Sequence, residues 1–165
     1  EGIDFYTAYK FETEYGSFRT SLDVSYVMTN EFDGEDQVGI QYGDAGYPEY
    51  KGTFALDWAL GDFDAHWQTR YVDRMQNYYD VLGYTPFYPG MAAEIGSYTV
   101  HDVSVGYSMD AYNTKFTLGI ENLFAKEPSP EYLNNDLAIS TNNFSVTEYD
   151  VNMDRFVYLR ATFKF

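Results

Sequence analysis

Two histidines are the first candidates in this sequence for the general base of a hydrolase. His66 and His101 are the only histidines in the chain, and a hydrolase would need one of them beside a nucleophile. Both lie in stretches that alternate polar and apolar residues, which makes them strand positions. His66 shares a face with Asp64 and Gln68, whereas His101 and Asp102 point to opposite faces. We interpret both histidines as ordinary sheet positions and predict no catalytic residues and no enzymatic activity.

An acidic stretch could hold a metal ion. Asp33, Glu35 and Asp36 surround Gly34, and carboxylate oxygens in a flexible loop are ligands that Ca²⁺ accepts. Their spacing matches no EF-hand loop, however, and an acidic loop is more often simply solvated. The chain has no cysteine, which excludes thiolate metal sites. The sequence therefore predicts neither a metal site nor a cofactor.

A run of aromatic residues is the best candidate for ligand binding. Rings at the mouth of a pore could stack on a sugar or on an aromatic group of a ligand. Alternatively they pack the loop or lie at a membrane boundary, and this second interpretation is the favoured one. The candidate ligand contacts are Tyr78, Tyr79, Tyr84, Phe87 and Tyr88.

Charge and composition narrow the class of protein. The formal net charge is −16, and affinity for phosphates depends on Lys and Arg, so we expect no nucleic-acid partner. Aromatic residues make up 20% of the 165 residues, mostly as 18 Tyr and 13 Phe. Such residues favour strands, and Tyr suits a boundary between apolar and wet surroundings. Composition thus indicates a β-rich protein at an interface.

Seven segments alternate between apolar and polar residues with a period of two, which predicts strands with one apolar face. These apolar faces begin at Ile3, Phe18, Phe54, Phe63, Val103, Phe116 and Val157. The opposite faces carry Asp4, Lys10, Glu12, Arg19, Asp23, Asp57, Asp64, Arg70, Asp102, Lys115, Glu121, Arg160 and Lys164. Burying so many charges in a dry core would be costly, so these faces are expected to border water.

The connections between the segments alternate in length. Tight turns near 14–17, 61–62 and 110–113 alternate with long links near 29–47, 75–96 and 123–154. Outer-membrane barrels show this pattern, because their periplasmic turns are short and their extracellular loops are long. An open sheet would leave unpaired backbone groups in lipid, so seven strands predict part of a larger, all-β, antiparallel transmembrane barrel. A soluble β-sandwich would also alternate and is the rival interpretation.

Three pieces of the C-terminal third carry a resemblance to a known family. The first is SYTVHDVSVGYSM, with Tyr98 and Asp102 in a Tyr-x-x-x-Asp pattern, and the last is the terminal strand RFVYLRATFKF. Between them, a Gly-x-x-Asn-Leu-Phe-x-x-x-Pro element maps onto Gly119, Asn122, Leu123, Phe124 and Pro128. In this order the pieces resemble TonB-dependent outer-membrane receptors. The resemblance covers most of 48–165 and is weak over 1–47.

The end of the chain resembles the signal that the barrel-assembly machinery reads. Phe163 and Phe165 match its aromatic pair, whereas Arg160 stands where the family usually has Gly. The resemblance therefore implies the barrel-assembly machinery as a partner, with one departure from the usual pattern.

The resemblance also implies an architecture and a function. Residues 1–165 would be the C-terminal portion of a barrel of about 22 strands, with the plug domain absent from this chain. The protein would be an active-transport receptor of the Gram-negative outer membrane, importing a scarce nutrient such as an iron–siderophore complex. Oligosaccharide or cobalamin uptake, an outer-membrane porin or enzyme, and a soluble β-sandwich binding module are the alternatives.

The partners implied are of three further kinds. Membrane lipid would surround the barrel, and the plug and remaining strands of the same receptor would complete it. The TonB energy-coupling complex would act through the missing N-terminal part.

Overall fold

The computed structural model describes residues 1–42, 45–83, 93–127 and 154–163. Nearly all of the regular structure is β-sheet. In chain order the elements are β1 (Gly2–Thr13), β2 (Gly16–Val27), β3 (Glu31–Phe32), β4 (Glu35–Asp36), β5 (Ile40–Tyr42), β6 (Ala45–Gly46), β7 (Tyr50–Leu60), β8 (Phe63–Val72), β9 (Met75–Asn77), α1 (Tyr78–Val81), β10 (Glu94–Ile95), β11 (Tyr98–Met109), β12 (Thr114–Glu121) and β13 (Phe156–Phe163). No helix within the described ranges is long and apolar enough to cross a membrane.

Seven long strands form one antiparallel sheet in the order β1-β2-β7-β8-β11-β12-β13. Each long strand pairs with the next long strand along the chain, as in a meander. These are the seven segments that the period-two pattern predicts, so the antiparallel all-β fold class is confirmed. Their β-branched and aromatic residues favour the extended backbone.

The strand register keeps the two predicted faces separate across the whole sheet. Residues paired across strands share a face, because side chains alternate along each strand. One ladder on the apolar face runs through Phe11, Phe18, Trp58, Ala65, Val105, Leu118 and Leu159. The neighbouring ladder on the polar face runs through Glu12, Ser17, Ala59, Asp64, Gly106, Thr117 and Arg160. The facing predicted from the alternation is therefore confirmed.

Tight turns lie at one end of the sheet. Residues 14–15 join β1 to β2, and the pair Gly61 and Asp62 joins β7 to β8, with Gly61 at a φ of 58°. A 3-10 turn, Asp110–Tyr112, joins β11 to β12 and is followed by Asn113 at a φ of 48°. Glycine and asparagine accept this left-handed backbone more readily than other residues. All three turns are where the sequence predicts them.

The other end of the sheet carries three long connections, which we call connection 1 (28–49), connection 2 (73–97) and connection 3 (122–155). Connection 1 contains β3 to β6, and connection 2 contains β9, α1 and β10. β5 and β9 pair in parallel, so that the two connections share a four-stranded sheet in the order β10-β9-β5-β6. The sequence pattern predicts none of these short elements, because two or three residues are too few to show a period.

The buried core lies at the same end as the long connections. It consists of Val72, Met75, Ile95, Tyr98 and Val100. The middle of the long sheet is different, since its apolar side chains are open: Leu118 is 53% exposed and Leu159 is 73% exposed. Among the described residues no second sheet covers the apolar face. A β-sandwich would bury these side chains, so the rival interpretation does not fit the structure.

Candidate functional site

Residues of two separate sequence motifs meet where β11 and β12 reach the long connections. The backbone N–H of Asn122 donates to Oδ1 of Asp102 at 2.8 Å, while Oδ2 of Asp102 accepts from Nη2 of Arg70 at 3.0 Å. The Asp102 side chain is 18% exposed and the Arg70 side chain 40% exposed, so the charged contact is partly shielded from water. One carboxylate thus ties together β8, β11 and the start of connection 3.

Asn122 builds the turn that begins connection 3. Its φ is 49°, a left-handed conformation that asparagine tolerates. The side-chain Oδ1 accepts the backbone N–H of Lys126 at 2.8 Å, and Nδ2 donates to the Lys126 carbonyl at 3.1 Å. The Tyr98 hydroxyl donates to the same carbonyl at 3.4 Å. We call Arg70, Tyr98, Asp102 and Asn122 the clasp.

The two motif residues directly after Asn122 contact His101 instead of joining the clasp. The backbone N–H of Leu123 donates to the His101 carbonyl at 2.7 Å. Phe124 packs its ring edge-on against the His101 ring, with centroids 5.2 Å apart. Pro128 lies outside the described residues. The sequence singles out both motifs, but their spacing alone does not predict that they bond to each other.

Gly119 makes room for an aromatic ring on the polar face. The Tyr158 ring lies over Gly119, and a Cβ atom at this position would collide with it. The Arg160 guanidinium lies 5.5 Å from the centroid of the same ring. A ring that covers a cross-strand glycine compensates for the packing the glycine lacks. The motif glycine is therefore explained by the Tyr158 ring.

A groove of about 460 Å³ lies on the polar face beside the clasp. Small residues, Ser104 and Gly119, pair across its middle. It is lined by His66, Gln68, Arg70, Asp102, Val103, Ser104, Ile120, Glu121 and Tyr158. The mixture of donors and acceptors suits a polar partner.

Ion pairs on the polar face use most of the charges around the groove. Lys115 Nζ lies 2.6 Å from Asp64 Oδ1, and His66 Nδ1 lies 2.6 Å from Asp57 Oδ1. Ser104 is the cross-strand neighbour of His66, so Asp57, His66 and Ser104 follow one ladder. No hydrogen bond joins Ser104 to His66 within the described residues, so the nucleophile–base contact that hydrolysis needs is missing there.

The apolar face is bounded by two rows of aromatic residues. The same spacing of eight residues separates the inner and outer ring in four places: Phe18 and Tyr26, Trp58 and Tyr50, Phe63 and Tyr71, Phe116 and Phe124. Neighbouring rings contact one another, as Phe11 and Phe18 do at 5.1 Å and Tyr26 and Tyr50 do at 4.8 Å. We call these the inner row, near the tight turns, and the outer row, near the long connections.

The surface between the two rows is uncharged. It contains no Asp, Glu, Lys or Arg and consists of Thr, Leu, Val, Gly, Phe, Tyr, Ala, Trp, Ile and His side chains in the described strands. Eight residues of strand span about 27 Å, which is about 20 Å in height at the usual tilt of barrel strands. An apolar band of this kind is close to the roughly 25 Å band of transmembrane barrels.

Two of the five candidate ligand rings lie on the short helix α1. Tyr78 and Tyr79 begin α1, and their rings meet edge-on with centroids 6.2 Å apart. The buried Asn77 caps this helix, because its Oδ1 accepts the Tyr79 backbone N–H at 3.1 Å. Both rings are half-buried. The other three candidates, Tyr84, Phe87 and Tyr88, lie outside the described residues.

The acidic stretch forms a short hairpin, β3 and β4, whose turn is Asp33 and Gly34 with positive φ angles of 52° and 83°. Asp-Gly is a preferred pair for such two-residue turns. Asp36 Oδ1 accepts the backbone N–H groups of Asn30 at 3.0 Å and Val38 at 3.1 Å. These two bonds lower the pKa of Asp36 below its ordinary value of 3.8. The Asp36 carboxylate is thus occupied by backbone donors.

At the end of the chain, Phe163 is the last described residue and pairs with Thr114, and its side chain is 59% exposed on the apolar face. Phe165 lies outside the described residues. The assembly signal itself therefore stays a prediction.

A single sheet with a charged face and an uncharged face between two aromatic rows defines part of the wall of a transmembrane β-barrel. A family model described as "TonB dependent receptor-like, beta-barrel" matches residues 1–123. The chain therefore belongs to the TonB-dependent receptor β-barrel family, and the predicted resemblance is confirmed. The match includes 1–47, where the resemblance is weak, and leaves out the pieces after Leu123. This is a family of outer-membrane transport receptors rather than enzymes.

One solved structure supports the same fold. The copper transporter OprC aligns with 78% of this chain at a TM-score of 0.50 and 16% identity. At this identity the likeness shows the fold alone. The aligned part is 18% of the transporter, so the chain spans less than a fifth of its length. No curated protein sequence matches this chain.

Proposed function

We propose that residues 1–165 form the C-terminal part of the barrel of an active-transport receptor in the Gram-negative outer membrane. The observation that carries this proposal is the uncharged face between two aromatic rows, opposite a charged face. Hydrocarbon would contact the first face and a wet lumen the second. A plug domain and further strands of the same receptor would complete the molecule, in a barrel of about 22 strands.

The cargo is proposed to be a scarce nutrient that needs energy to cross the membrane. An iron–siderophore complex is the first candidate, with cobalamin or an oligosaccharide as alternatives. The similar structure is a copper transporter, which adds a copper ion or complex as a further candidate. We propose that Tyr78 and Tyr79 contribute to cargo binding with Tyr84, Phe87 and Tyr88, because the capped helix holds the first two rings in fixed positions.

The remaining partners follow from the same proposal. Outer-membrane lipid would surround the apolar face, and the TonB energy-coupling complex would act through the N-terminal part of the receptor. The barrel-assembly machinery would read the end of the chain at Phe163 and Phe165. None of these roles requires covalent chemistry by residues of the sheet.

The test is uptake by cells that carry the full-length gene, its deletion, or a deletion of the TonB gene. Labelled ferric siderophore, cobalamin, copper and oligosaccharide are supplied separately at limiting concentration. We expect both deletion strains to lose uptake of one of these four compounds. Uptake that needs the gene but not TonB would favour the porin alternative, and a protein found only in the soluble fraction would remove the membrane proposal altogether.

A further inference from the structure

His101 lies beside the outer row, one pair of residues inside it: His101 pairs with Thr69, whereas Thr99 pairs with Tyr71 of the outer row. It lies on the apolar face, and its ring contacts Trp67 at 5.4 Å and Phe124 at 5.2 Å between centroids. The bond from the Leu123 N–H to the His101 carbonyl holds it level with the outer end of β12. The two ring nitrogens of a histidine are polar, so on an apolar face each of them needs a hydrogen-bond partner.

A chain of hydrogen bonds accounts for one of those nitrogens. Trp67 Nε1 donates to Thr69 Oγ1 at 2.9 Å, and Thr69 Oγ1 lies 2.9 Å from His101 Nδ1. An indole N–H can only donate, so the Thr69 oxygen is an acceptor in the first bond. Its hydroxyl hydrogen has no other acceptor among the described residues, and donating it to His101 Nδ1 satisfies all three groups.

The direction of this chain assigns the tautomer of His101. Nδ1 accepts, so the proton of the neutral ring lies on Nε2. Within the described residues Nε2 makes no hydrogen bond. Two neighbouring polar groups are already bonded within the protein: Trp67 Nε1 donates to Thr69, and the Tyr71 hydroxyl donates to Asp73 at 2.8 Å. Among the described residues, His101 therefore offers an oriented donor beside the outer row.

We propose that His101 Nε2–H binds a phosphate oxygen of a lipid in the outer leaflet, with Trp67 and Phe124 flanking the headgroup. The inference rests on the proposed function, because it requires the apolar face to contact lipid. A phosphate oxygen fits because His101 contacts Phe124 of the outer row. That row would lie at the level where hydrocarbon gives way to headgroups, and headgroup oxygens are the acceptors there. A donor at this height would otherwise lose its hydrogen bond to water without replacement.

The experiment uses the full-length receptor in nanodiscs that mix phosphatidylglycerol with a glucosyl diacylglycerol lacking phosphate. Retention of phosphatidylglycerol by the receptor is measured by native mass spectrometry. We expect His101→Phe, which keeps a ring but removes Nε2–H, to lower retention roughly two- to ten-fold, the range of one hydrogen bond. Thr69→Val, which removes the fixed tautomer, should lower it as well, and His101→Gln, which keeps an N–H donor, should restore most of it.

Thr20→Val is the matched control, because it makes the same change on the same face at a distance from His101. It should leave retention unchanged. Equal retention by wild type and His101→Phe, in receptors that insert normally, would overturn the headgroup site alone. A wild-type receptor that does not insert would instead overturn the proposed function. Nitrogen-15 spectra provide a second readout: a proton on Nδ1 rather than Nε2 of His101 would also overturn the site.

Discussion

The Asp102 carboxylate and the Asn122 backbone N–H, twenty residues apart in sequence, are joined by a hydrogen bond of 2.8 Å. Because Asp102 also pairs with Arg70, this bond fixes the start of connection 3 to two strands. The motif residues Tyr98, Asp102 and Asn122 are therefore structural: they close the end of the sheet from which the long connections leave.

Removing the Asp102 carboxylate should destabilise this end of the sheet. Asp102→Ala removes the carboxylate that accepts from Arg70 and from the Asn122 N–H, and we expect a loss of roughly 1–3 kcal/mol in the free energy of unfolding. Glu121→Gln is the control, because Glu121 lies on the same face and has no bonded partner among the described residues. Urea unfolding in lipid vesicles measures the free energy of unfolding of both variants. Equal losses for Asp102→Ala and Glu121→Gln would contradict the role of the clasp.

Adding a methyl group at Gly119 should displace the Tyr158 ring. Gly119→Ala places Cβ where the ring lies, so we expect a loss of about 1 kcal/mol, the size of a cross-strand pair contact. In a Tyr158→Ala background the collision is absent, and the same substitution should be neutral or stabilising. A double-mutant cycle measures this coupling. Additive effects of the two changes would show that the ring and the glycine do not interact.

Connections 1 and 2 should loosen together when the cap of α1 is removed. Asn77→Ala deletes the Oδ1 that accepts the Tyr79 N–H, a change that costs roughly 0.5–2 kcal/mol at helix caps. Since Gln76 N donates to the Gly39 carbonyl at 2.7 Å, hydrogen exchange should accelerate at Gln76 as well as at Tyr79. Gln76→Ala, an exposed change in the same strand, is the control. Faster exchange at Tyr79 alone would mean that the connections are independent.

Acid should weaken the turn around Asp36 only at low pH. The pKa of Asp36 is lowered because Asn30 and Val38 donate to its charged form, so the stabilisation is complete above its ordinary pKa of 3.8. It is lost as the pH falls through the lowered pKa of the folded state. The Asn30 and Val38 amide proton shifts should therefore titrate with a midpoint below 3.8. A midpoint at or above that value, or a titration that persists in Asp36→Asn, would contradict this.

The sequence predicts the seven long strands well and the short elements of connections 1 and 2 poorly, and both outcomes have physical reasons. Each long strand has enough alternating residues to reveal a period of two, as Ile3 to Phe11 does in β1. The pairing of β5 with β9 joins residues more than thirty positions apart through backbone bonds, which leave no signal in side-chain type. His101 shows the same limit: its face is predictable from parity, but its hydrogen-bond chain through Thr69 depends on the register of β8 and β11.

The central claim is that one face of the sheet contacts hydrocarbon and the other borders water. Leu22 lies midway between Phe18 and Tyr26 on the apolar face, and Ser21, its neighbour in β2, lies on the polar face. Folding of the full-length receptor into lipid bilayers should become less favourable by roughly 2–4 kcal/mol for Leu22→Arg, the cost of arginine near the midplane. Ser21→Arg should cost far less. Equal penalties, or a larger penalty for Ser21→Arg, would contradict the account.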